Sequence, residues 1–264
     1  MNLGLQGKLA AITGSTAGIG YAIAATLAEE GARVVINGRT QARVDSALER
    51  LRMNNRGAEY TGVAADLGTA AGIEAFTEAV PVADVLVNNL GIFEVKAFLE
   101  ISDEDWQRFF DVNILSGVRL SRHYLPYMLK RNWGRIIFIS SESAQQIPAE
   151  MVHYGMTKTA QVAIANGIAR SYAGTGVTTN SILVGPTASE GVGTFLAQAA
   201  RSQGVSPAEM EKQFFSLARP TSLLKRFETP EEIANIVAFV AGNQSNVING
   251  AAVRADGGVV QSIF

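Results

Sequence analysis

Short runs rich in β-branched residues alternate with longer helical stretches along most of this 264-residue chain. The runs with strand character are Lys8–Thr13, Arg33–Asn37, Glu59–Ala64, Val85–Val87, Arg135–Ser140 and Thr178–Leu183. Helical length and patterning cover Tyr21–Glu30, Gln41–Met53, Ala70–Ala79, Asp103–Lys130, Val152–Ala173 and Pro230–Val240. This alternation predicts an α/β fold, with a doubly wound parallel sheet flanked by helices on both faces. The helix that holds Pro126 is expected to end or kink near that residue.

The composition fits one large domain rather than two. Hydrophobic residues make up 47% of the chain and charged residues 17%, as in a well-buried globular domain. No linker, charge block, low-complexity tract or internal repeat divides the chain, so residues 1–264 are expected to form a single domain. The start lacks a signal peptide, and no apolar stretch approaches about eighteen residues. We therefore expect a cytoplasmic protein with no membrane contact.

Composition also excludes several kinds of chemistry. The chain has no cysteine, which rules out disulfides and thiolate catalysis, and its two histidines cannot form a histidine-rich metal site. A formal net charge of −2 provides no general attraction to nucleic acid. We expect no metal and no nucleic acid partner, and small molecules as the ligands.

A glycine loop lies between the first predicted strand and the first predicted helix. Gly14, Gly18 and Gly20 follow the strand with the spacing Gly-x-x-x-Gly-x-Gly. Glycines at such a turn let the backbone approach a pyrophosphate, which the positive end of the helix macrodipole then stabilises. The loop therefore predicts a dinucleotide site in a single-domain Rossmann fold, although a glycine pattern alone has many false positives.

A tyrosine and a lysine spaced for proton transfer occur in a later predicted helix. Tyr154 and Lys158 are four residues apart and share a helix face. Since a tyrosine normally titrates near pH ~10, a neighbouring ammonium would lower the pKa of the Tyr154 phenol toward the range of acid and base catalysis. The preceding strand-like run ends in Ser140-Ser141, thirteen residues before the tyrosine. Such a pair also arises by chance, so the neighbouring motifs decide its meaning.

Five motifs in this order and spacing resemble the short-chain dehydrogenase/reductase family, in particular its 3-oxoacyl-ACP reductase-like members. They are Thr13-Gly14-x-x-x-Gly18-Ile19-Gly20, Asn88-Asn89-Leu90-Gly91, Asn113, Ser141 and Tyr154-x-x-x-Lys158. Asp256-Gly257-Gly258 near the carboxyl end resembles the terminal signature of the family. The resemblance covers essentially the whole chain. It implies an NAD(P)-dependent oxidoreductase that acts on carbonyls or secondary alcohols.

The resemblance also implies roles for individual residues. Tyr154 would be the proton donor, Ser141 would stabilise the reacting oxygen, and Lys158 would hold the nicotinamide ribose. Asn113 would position a water that links Lys158 to solvent. Tyr154 and Lys158 would contact the cofactor together with Gly14, Ser15, Thr16, Gly18, Ile19, Gly20, Asn37, Arg39, Asp66, Leu67, Asn89, Gly91, Gly185 and Thr187. Each residue taken singly also fits a structural role, but their joint occurrence favours catalysis.

The end of the second strand bears on the choice of nicotinamide cofactor. A carboxylate about twenty residues after the glycines would bind the ribose hydroxyls of NAD, but Asn37-Gly38-Arg39 has no acid there. The guanidinium of Arg39 is suited instead to a 2′-phosphate. We expect NADP(H) to be preferred, with NAD(H) also usable. The alternative is that Arg39 is a solvated loop residue that pairs with Asp45.

Two positions depart from the pattern of the family. Leu90 stands where relatives usually have alanine, and its side chain either narrows the cofactor cleft or packs inward. Val184 stands where relatives have a proline, and Pro186 is expected to stiffen the same turn. Thr187 or Ser189 would then hydrogen-bond the nicotinamide carboxamide.

The segment at about 186–227 is expected to form a lid. Its apolar residues follow a helical pattern typical of a lid over an apolar pocket, or of ordinary core: Phe195, Leu196, Met210, Phe214, Phe215 and Leu217. Such a lid favours a partly hydrophobic ketone, such as a 3-oxoacyl thioester, over a small sugar. Glu142 and Glu150 flank the predicted catalytic residues. Either could meet a polar substrate, but both are expected to be solvated, and His153 is expected to be a bystander rather than a second acid.

Three functions remain open. They are an NADPH-dependent carbonyl reductase, an NAD(P)-dependent alcohol, sugar or polyol dehydrogenase, and a non-catalytic cofactor-sensing or scaffold protein on the same fold. The complete set of catalytic residues argues against the third. The resemblance also implies a homo-oligomer, a dimer or tetramer. Apolar residues suited to its interface, or to the core, are Trp106, Phe109, Phe110, Tyr124, Tyr127, Ile263 and Phe264.

Overall fold

The structure is a computed structural model that describes residues 1–263, apart from the side chains of residues 194 and 195. Phe195 of the predicted lid and Phe264 of the predicted interface therefore lie outside the described residues. Through the rest of the chain strands and helices alternate, as the sequence predicts.

One parallel sheet forms the centre of the molecule. Its strands are β1 (Leu9–Ile12), β2 (Arg33–Gly38), β3 (Tyr60–Ala64), β4 (Val85–Asn88), β5 (Gly134–Ser141), β6 (Val177–Val184) and β7 (Ala252–Ala255). Their order in the sheet is β3-β2-β1-β4-β5-β6-β7, and all neighbours are parallel. Parallel neighbours need crossover connections, which the helices provide on both faces. The predicted single-domain, doubly wound Rossmann-type fold is confirmed.

The sequence analysis missed the edge strand β7. This strand has only four residues, and Arg254 interrupts its apolar pattern. It pairs with β6, with Ser181 opposite Ala252 and Val184 opposite Ala255. Because an edge strand has a neighbour on one side only, its sequence lacks the continuous apolar run that marks a central parallel strand.

Helices pack on both faces of the sheet. They are α1 (Gly18–Glu29), α2 (Gln41–Asn54), α3 (Ala70–Ala79), α4 (Asp103–Phe110), α5 (Ser116–Lys130), α6 (Val152–Ser171), α7 (Glu190–Gln203), α8 (Pro207–Gln213) and α9 (Pro230–Ala241). Side-chain caps determine several of their first residues. Thr40, Ser102 and Thr229 each accept a hydrogen bond from the backbone N–H three residues ahead. α1 begins earlier than predicted, because the end of the glycine loop forms its first turn.

The long helical segment is interrupted at a different place from the one predicted. It does not end at Pro126; a wider π turn, Asp111–Leu115, separates α4 from α5, and α5 continues through the proline. Pro126 lies on the exposed face of α5, where water can satisfy the carbonyl that it leaves free. Tyr124 holds this end of α5 against the core. The π turn matters for the site because it contains Asn113.

Each face of the sheet has its own apolar core. Ala10 and Ile12 pack on the side of α1, α2 and α9, whereas Ala11 between them packs on the side of α3, α5 and α6. Strands buried on both faces explain the continuous apolar runs in the sequence. Phe109 and Tyr124 are completely buried in this interior. The suggestion that these two residues contribute to an oligomer interface is therefore wrong.

Candidate active site

A cleft of about 1040 Å³ opens at the carboxyl ends of the strands, where doubly wound sheets bind ligands. The predicted site residues that line it are Gly14, Thr16, Gly18, Ile19, Gly20, Asn37, Arg39, Leu67, Asn89, Gly91, Ser141, Tyr154, Lys158, Gly185 and Thr187. Ser15, Asp66 and Asn113 lie outside this lining. The fold thus brings together most of the residues singled out in the sequence.

The glycine loop has a conformation that side chains would prevent. Gly14 and Gly18 have φ angles of 58° and 56°, in the left-handed region. A Cβ at Gly20 would lie 2.5 Å from Asn89 Nδ2 and 2.7 Å from the carbonyl oxygen of Gly14. The loop leads directly into the amino end of α1. Its backbone is therefore suited to hold a cofactor pyrophosphate.

Ser15 and Asn37 support this loop from inside. The Ser15 hydroxyl donates to the carbonyl oxygen of Ile12 at 2.7 Å and accepts from the Asn37 N–H at 2.9 Å. The Asn37 side chain accepts from the Gly14 N–H at 3.2 Å and donates to the carbonyl oxygen of Ala65 at 3.1 Å. Both side chains are thus engaged within the protein. Direct contacts from them to a cofactor stay predictions.

Asn89 ties the turn after β4 to the glycine loop. Its Nδ2 donates to the carbonyl oxygens of Thr13 and Gly14, both at 2.9 Å. The Thr13 hydroxyl in turn accepts from the backbone N–H groups of Asn89 and Leu90, at 2.9 and 2.8 Å. The Leu90 side chain contributes to the cleft wall and also packs against the core. The two outcomes considered for this leucine therefore occur together.

The end of β2 carries positive charge and no carboxylate. Arg39 is exposed at the cleft and, within the described part of the chain, forms no hydrogen bond or ion pair. The suggested pairing with Asp45 is wrong; that carboxylate accepts from Gln41 Nε2 at 2.8 Å. A Cβ at Gly38 would lie 2.5 Å from Thr16 Cγ2. Position 38 therefore has little room for the acidic side chain that NAD would favour.

Arg43 is a second cation at this end of the cleft, and sequence reasoning missed it. It lies in the first turn of α2, four residues after Arg39, and lines the cleft. Its NH2 is 3.3 Å from the Glu190 carboxylate at the start of α7. Both side chains are exposed, so the pair is weak. The signal that could have identified Arg43 was its place in the first turn of the predicted helix, shortly after Arg39.

Asp66 and Leu67 occupy different positions at the end of β3. The exposed Asp66 carboxylate accepts from the Gly68 N–H at 3.0 Å, and the Asp66 carbonyl oxygen accepts from the Thr69 hydroxyl at 2.9 Å. Leu67 is buried and lines the cleft. Asp66 therefore shapes the turn before α3, and its contact with an adenine edge stays a prediction.

α6 presents Tyr154 and Lys158 to the cleft one turn apart. Lys158 Nζ lies 5.5 Å from the centroid of the Tyr154 ring. The same Nζ donates to the carbonyl oxygen of Ile139 at 2.9 Å, which holds the side chain against β5. Burial lowers the pKa of Lys158 to about 8, and the Glu142 carboxylate opposes this shift.

The pKa of Tyr154 moves in the opposite direction from the one predicted. Burial raises it above its ordinary value, and the Glu142 carboxylate adds to the rise. A hydrogen bond with Ser141 and the charge of Arg219 oppose it. The expectation that Lys158 lowers this pKa is wrong here, because the loss of phenolate hydration is the larger effect. A phenol that stays protonated at neutral pH is suited to donate a proton.

Asn113 lies behind the cleft and ties the π turn to two neighbouring segments. Its side chain exchanges two hydrogen bonds with the backbone of Ile92, at 2.8 and 2.9 Å, and donates to the Thr157 hydroxyl at 3.0 Å. The main-chain carbonyl oxygen of Asn113 accepts from Gln161 Nε2 at 2.7 Å. The Oε1 atom of the same glutamine accepts from Lys158 Nζ at 3.3 Å. A glutamine side chain thus joins Asn113 to Lys158, and the water expected at Asn113 stays a prediction.

Glu142 is buried beside Ser141, and the expectation that it is solvated is wrong. Its Oε1 accepts from Arg219 Nε at 2.8 Å. Its Oε2 accepts from the Ser141 hydroxyl and from the Ser143 N–H, the latter at 2.9 Å. Arg219 NH1 also lies 3.6 Å from the Glu150 carboxylate. Opposite charges with full hydrogen bonding make such burial tolerable.

Glu228 holds the turn that contains Gly185 and Thr187. Its Oε2 accepts from the Gly185 N–H at 3.2 Å, and the Thr187 hydroxyl donates to the Gly185 carbonyl oxygen at 3.0 Å. Burial raises the pKa of Glu228 to about 7; the Gly185 hydrogen bond opposes this rise and Asp256 adds to it. Ser189 caps α7. The carboxamide contact expected from Thr187 or Ser189 stays a prediction.

Part of the 186–227 segment forms one wall of the cleft. Phe215 is buried and belongs to an aromatic cluster in which the rings of Phe214, Phe215 and Phe227 have centroids 4.9 to 5.1 Å apart. The larger apolar side chains that this segment contributes to the cleft include Val192, Leu196, Met210, Phe214, Leu217 and Phe227. The apolar side chains of this segment thus pack in the core at some positions and line the cleft at others.

His153, beside Tyr154, faces away from the chemistry. It is completely buried, and its ring centroid lies 6.0 Å from that of Trp106 and 4.0 Å from that of Phe109. Burial lowers its pKa. Elsewhere in the described part of the chain, no group of three or more His, Asp or Glu side chains is placed to hold a metal ion. No helix among the described residues is long and apolar enough to cross a bilayer.

The fold and the cleft define a class of protein, the oxidoreductases that bind a dinucleotide at the carboxyl edge of a parallel sheet. A family model for short chain dehydrogenases matches residues 8–200. The chain therefore belongs to the short-chain dehydrogenase family, and it is an NAD(P)-dependent oxidoreductase that acts on the CH–OH/C=O pair.

Individual relatives agree with this assignment. The chain is 48% identical over 264 residues to the uncharacterized oxidoreductase YvaG of Bacillus subtilis strain 168, with 100% of both chains covered. It is 32% identical over 263 residues to a 3-oxoacyl-acyl-carrier-protein reductase of Aquifex aeolicus, covering 98% and 100% of the two chains. The structure of L-sorbose reductase from Gluconobacter frateurii, complexed with NADPH and L-sorbose, matches with a TM-score of 0.93 at 31% identity and covers 100% of both chains.

Proposed function

We propose that this enzyme reduces ketones with NADPH as the hydride donor. The observation that carries the proposal is the convergence of Ser141, Tyr154 and Lys158 at one end of the cleft, opposite Gly91. A Cβ at Gly91 would lie 3.4 Å from Lys158 Nζ, so a side chain at this position would crowd the ammonium. A scaffold or cofactor sensor would need the cleft but not a proton donor and a hydroxyl at its reacting end.

In the proposed reduction a bound cofactor would supply the hydride that the carbonyl carbon accepts. Tyr154 donates its phenolic proton to the carbonyl oxygen, and the Ser141 hydroxyl stabilises the negative charge that develops there. Lys158 holds the ribose hydroxyls and, lying beside the Tyr154 ring, stabilises the phenolate left by proton transfer. The raised pKa of Tyr154 keeps the donor protonated at neutral pH.

The proposal includes a preference for NADP(H) over NAD(H). Arg39 and Arg43 line the cleft at the end of β2, where guanidinium groups can bind a 2′-phosphate in a forked geometry. The similar L-sorbose reductase was solved with NADPH, which supports this preference. NADH shares every other group with NADPH, so we expect it to bind more weakly rather than not at all.

The substrate we propose is a partly hydrophobic ketone, of which a 3-oxoacyl thioester is one example. The apolar wall formed by Leu196, Met210 and Phe214 lies across the cleft from the sheet and suits a carbon chain. We propose that the segment at 186–227 closes over the substrate as a lid. The similarity to a 3-oxoacyl-acyl-carrier-protein reductase supports this substrate class.

Interconversion of a sugar or polyol is the second candidate. The buried pair of Glu142 and Arg219 gives the reacting end of the cleft a polar character that suits hydroxyl groups. The similarity to L-sorbose reductase favours the same reading.

We also propose that the enzyme is a homo-oligomer, a dimer or tetramer, because Phe110 on α4 and Ile263 near the end of the chain are apolar and exposed. A cytoplasmic location is part of the same proposal.

The test begins with fluorescence titrations of the purified protein with NADPH and with NADH. Absorbance at the reduced-nicotinamide band then follows oxidation in the presence of ketones, 3-oxoacyl thioesters and sugars. Tighter binding of NADPH and ketone-dependent oxidation are the expected results. Comparable affinity for the two cofactors would refute the NADP(H) preference. Binding without turnover on any substrate would shift the function to cofactor sensing.

A further inference from the structure

We infer that Glu142 selects ketones that carry a hydroxyl group on the carbon next to the carbonyl. The inference rests on the proposed ketone reduction and names the substrate class of the same site. It favours a sugar-like hydroxyketone over a 3-oxoacyl thioester, which has no hydroxyl group on the carbon next to its keto group. It is carried by the distribution of hydrogen-bond donors around the Glu142 carboxylate, which is buried at the reacting end of the cleft.

Both oxygens of this carboxylate have donors from the protein. Oε1 accepts from Arg219 Nε at 2.8 Å. Oε2 accepts from the Ser143 N–H at 2.9 Å, from the Ser143 hydroxyl at 3.2 Å and from the Ser141 hydroxyl. A carboxylate paired with a guanidinium has no proton to give, so Ser141 is the donor in its bond with Glu142.

Ser141 cannot donate to Glu142 and to a substrate at the same time. A serine hydroxyl has a single proton, and in the proposed reduction that proton must point to the carbonyl oxygen. Turning it away from Glu142 gives up a hydrogen bond to a charged acceptor, a loss that corresponds to roughly a tenfold lower rate or more. The reduction of a ketone without a neighbouring hydroxyl group is slowed by the whole of this loss.

A hydroxyl group on the neighbouring carbon of the substrate removes the conflict. Its oxygen is adjacent to the carbonyl oxygen, as Glu142 is adjacent to Ser141 in the cleft wall. The substrate hydroxyl donates to Glu142 Oε2 in place of Ser141, and Ser141 then donates to the carbonyl oxygen. The number of donors to Oε2 stays the same through this exchange, so the loss that a simple ketone suffers does not occur.

The charges around Glu142 favour a neutral substrate over a keto acid. Two carboxylates, Glu142 and Glu150, lie 2.8 and 3.6 Å from the single guanidinium of Arg219. The guanidinium is therefore already engaged, and a third carboxylate would be repelled. Lys158 is the other cation at this end, and its Nζ donates to two oxygens of the protein. We expect a neutral hydroxyketone whose remaining carbon atoms contact the apolar wall of α7 and α8.

The test compares 2-hydroxyacetophenone with propiophenone, two ketones of nearly equal shape. On the carbon next to the carbonyl, the first carries a hydroxyl group and the second a methyl group. NADPH oxidation gives kcat/KM for both with the unmodified enzyme and with Glu142→Gln, which keeps the size of the side chain and removes its charge. The hydroxyl group changes the intrinsic reactivity of the ketone equally for both enzymes. A difference between the enzymes in the ratio of the two kcat/KM values therefore reports the effect of Glu142 alone.

We expect the preference for the hydroxyketone, which is the ratio of its kcat/KM to that of propiophenone, to fall at least about tenfold in Glu142→Gln. Equal losses with both ketones, or an unchanged preference, would overturn the inference by leaving Glu142 a structural role only. An enzyme that binds NADPH but reduces neither ketone, nor any other ketone tested, would instead refute the proposed reduction itself. Glu78→Gln, on the exposed face of α3, is the control for charge and should keep the preference.

A second variant keeps the test decisive if Glu142→Gln fails to fold. Glu142→Asp retains the charge and withdraws the carboxylate from Ser141 by one methylene. It is expected to show the same loss of preference for the hydroxyketone, and retention of the full preference would contradict the inference. Binding of NADPH, measured by fluorescence, identifies the variants that are folded.

Discussion

The side-chain amide of Gln161 donates to the main-chain carbonyl oxygen of Asn113 at 2.7 Å. The other end of the same side chain accepts from Lys158 Nζ at 3.3 Å. The lysine of the proposed mechanism is thus connected to the π turn through the side-chain amide of Gln161. Gln161 Oε1 is thus one of two protein oxygens that accept a hydrogen bond from the buried Lys158 ammonium.

Replacing Gln161 should therefore move the pH dependence of ketone reduction. Burial lowers the pKa of Lys158 to about 8, and Gln161→Leu removes an acceptor that stabilises the ammonium, so the pKa falls further. We expect kcat to decline above about pH 8 in the unmodified enzyme and roughly one unit lower in the variant. Gln161→Glu adds a negative charge and should shift the decline upward. Initial rates between about pH 6 and 10 measure these shifts; parallel profiles in all three proteins would contradict the role of Gln161.

Tyr154→Phe should remove most turnover without weakening cofactor binding. The substitution keeps the ring and deletes the proton donor, so kcat is expected to fall by roughly 100-fold or more. NADPH titration should be unchanged, because the ring and Lys158 remain. Tyr172→Phe, at an exposed tyrosine just after α6, is the matched control and should keep normal rates. Near-normal turnover of Tyr154→Phe would remove Tyr154 from the mechanism.

Arg39→Ala should weaken NADPH binding and spare NADH. A guanidinium makes charge-assisted hydrogen bonds to a phosphate, so we expect the Kd for NADPH to rise roughly tenfold, and further when Arg43→Ala is added. The effect should shrink at high salt because exposed charges are screened. Arg56→Ala, which removes an exposed guanidinium after α2, should leave both affinities unchanged. An equal loss of affinity for NADPH and NADH would show that Arg39 does not bind the 2′-phosphate.

The family resemblance identified the predicted site residues, and local sequence patterns explain why they meet. Gly14, Asn89 and Ser141 each come at or directly after the end of a short apolar run, and the ends of parallel strands meet at one edge of a sheet. Their convergence in one cleft therefore needed no knowledge of distant contacts. Helix periodicity likewise placed Tyr154 and Lys158 on one face of α6.

The features that the sequence did not predict depend on residues far apart in the chain. A glutamate in a loop is usually solvated, and Glu142 is buried only because Arg219, 77 positions later, pairs with it. The raised pKa of Tyr154 likewise follows from burial and from the Glu142 carboxylate, which the spacing of Tyr154 and Lys158 does not encode. Periodicity reports which face of an element is apolar, but it does not report which charged groups meet across the cleft.

Alanine should have opposite effects at two helical glycines. A Cβ at Gly20 would lie 2.5 Å from Asn89 Nδ2 and 2.7 Å from the carbonyl oxygen of Gly14. The glycine loop must shift, so we expect Gly20→Ala to lower the free energy of unfolding by about 1–3 kcal/mol and to weaken NADPH binding. Gly167 in α6 has no neighbouring atom within 4 Å of the added Cβ, and Gly167→Ala should stabilise the fold by about 0.5–1 kcal/mol. Urea unfolding measures the stability of both variants, and titration measures their affinity for NADPH. A Gly20→Ala protein with normal stability and binding would contradict the close packing of the loop.

Glu228 should make the stability of the fold depend on pH. Its pKa rises from an ordinary value of 4.5 to about 7 on folding, so between these values the folded protein binds more protons than the unfolded chain. The free energy of unfolding must therefore fall as the pH rises through this window. Glu228→Gln keeps an acceptor for the Gly185 N–H and removes the titration. We expect the stability of the variant relative to the unmodified enzyme to increase by about 2 kcal/mol between about pH 5 and pH 8. Glu231→Gln, at an exposed carboxylate in the first turn of α9, is the control and should show no such change in urea unfolding. A pH-independent difference for Glu228→Gln would mean that the carboxylate is already ionised throughout, held so by the Gly185 N–H.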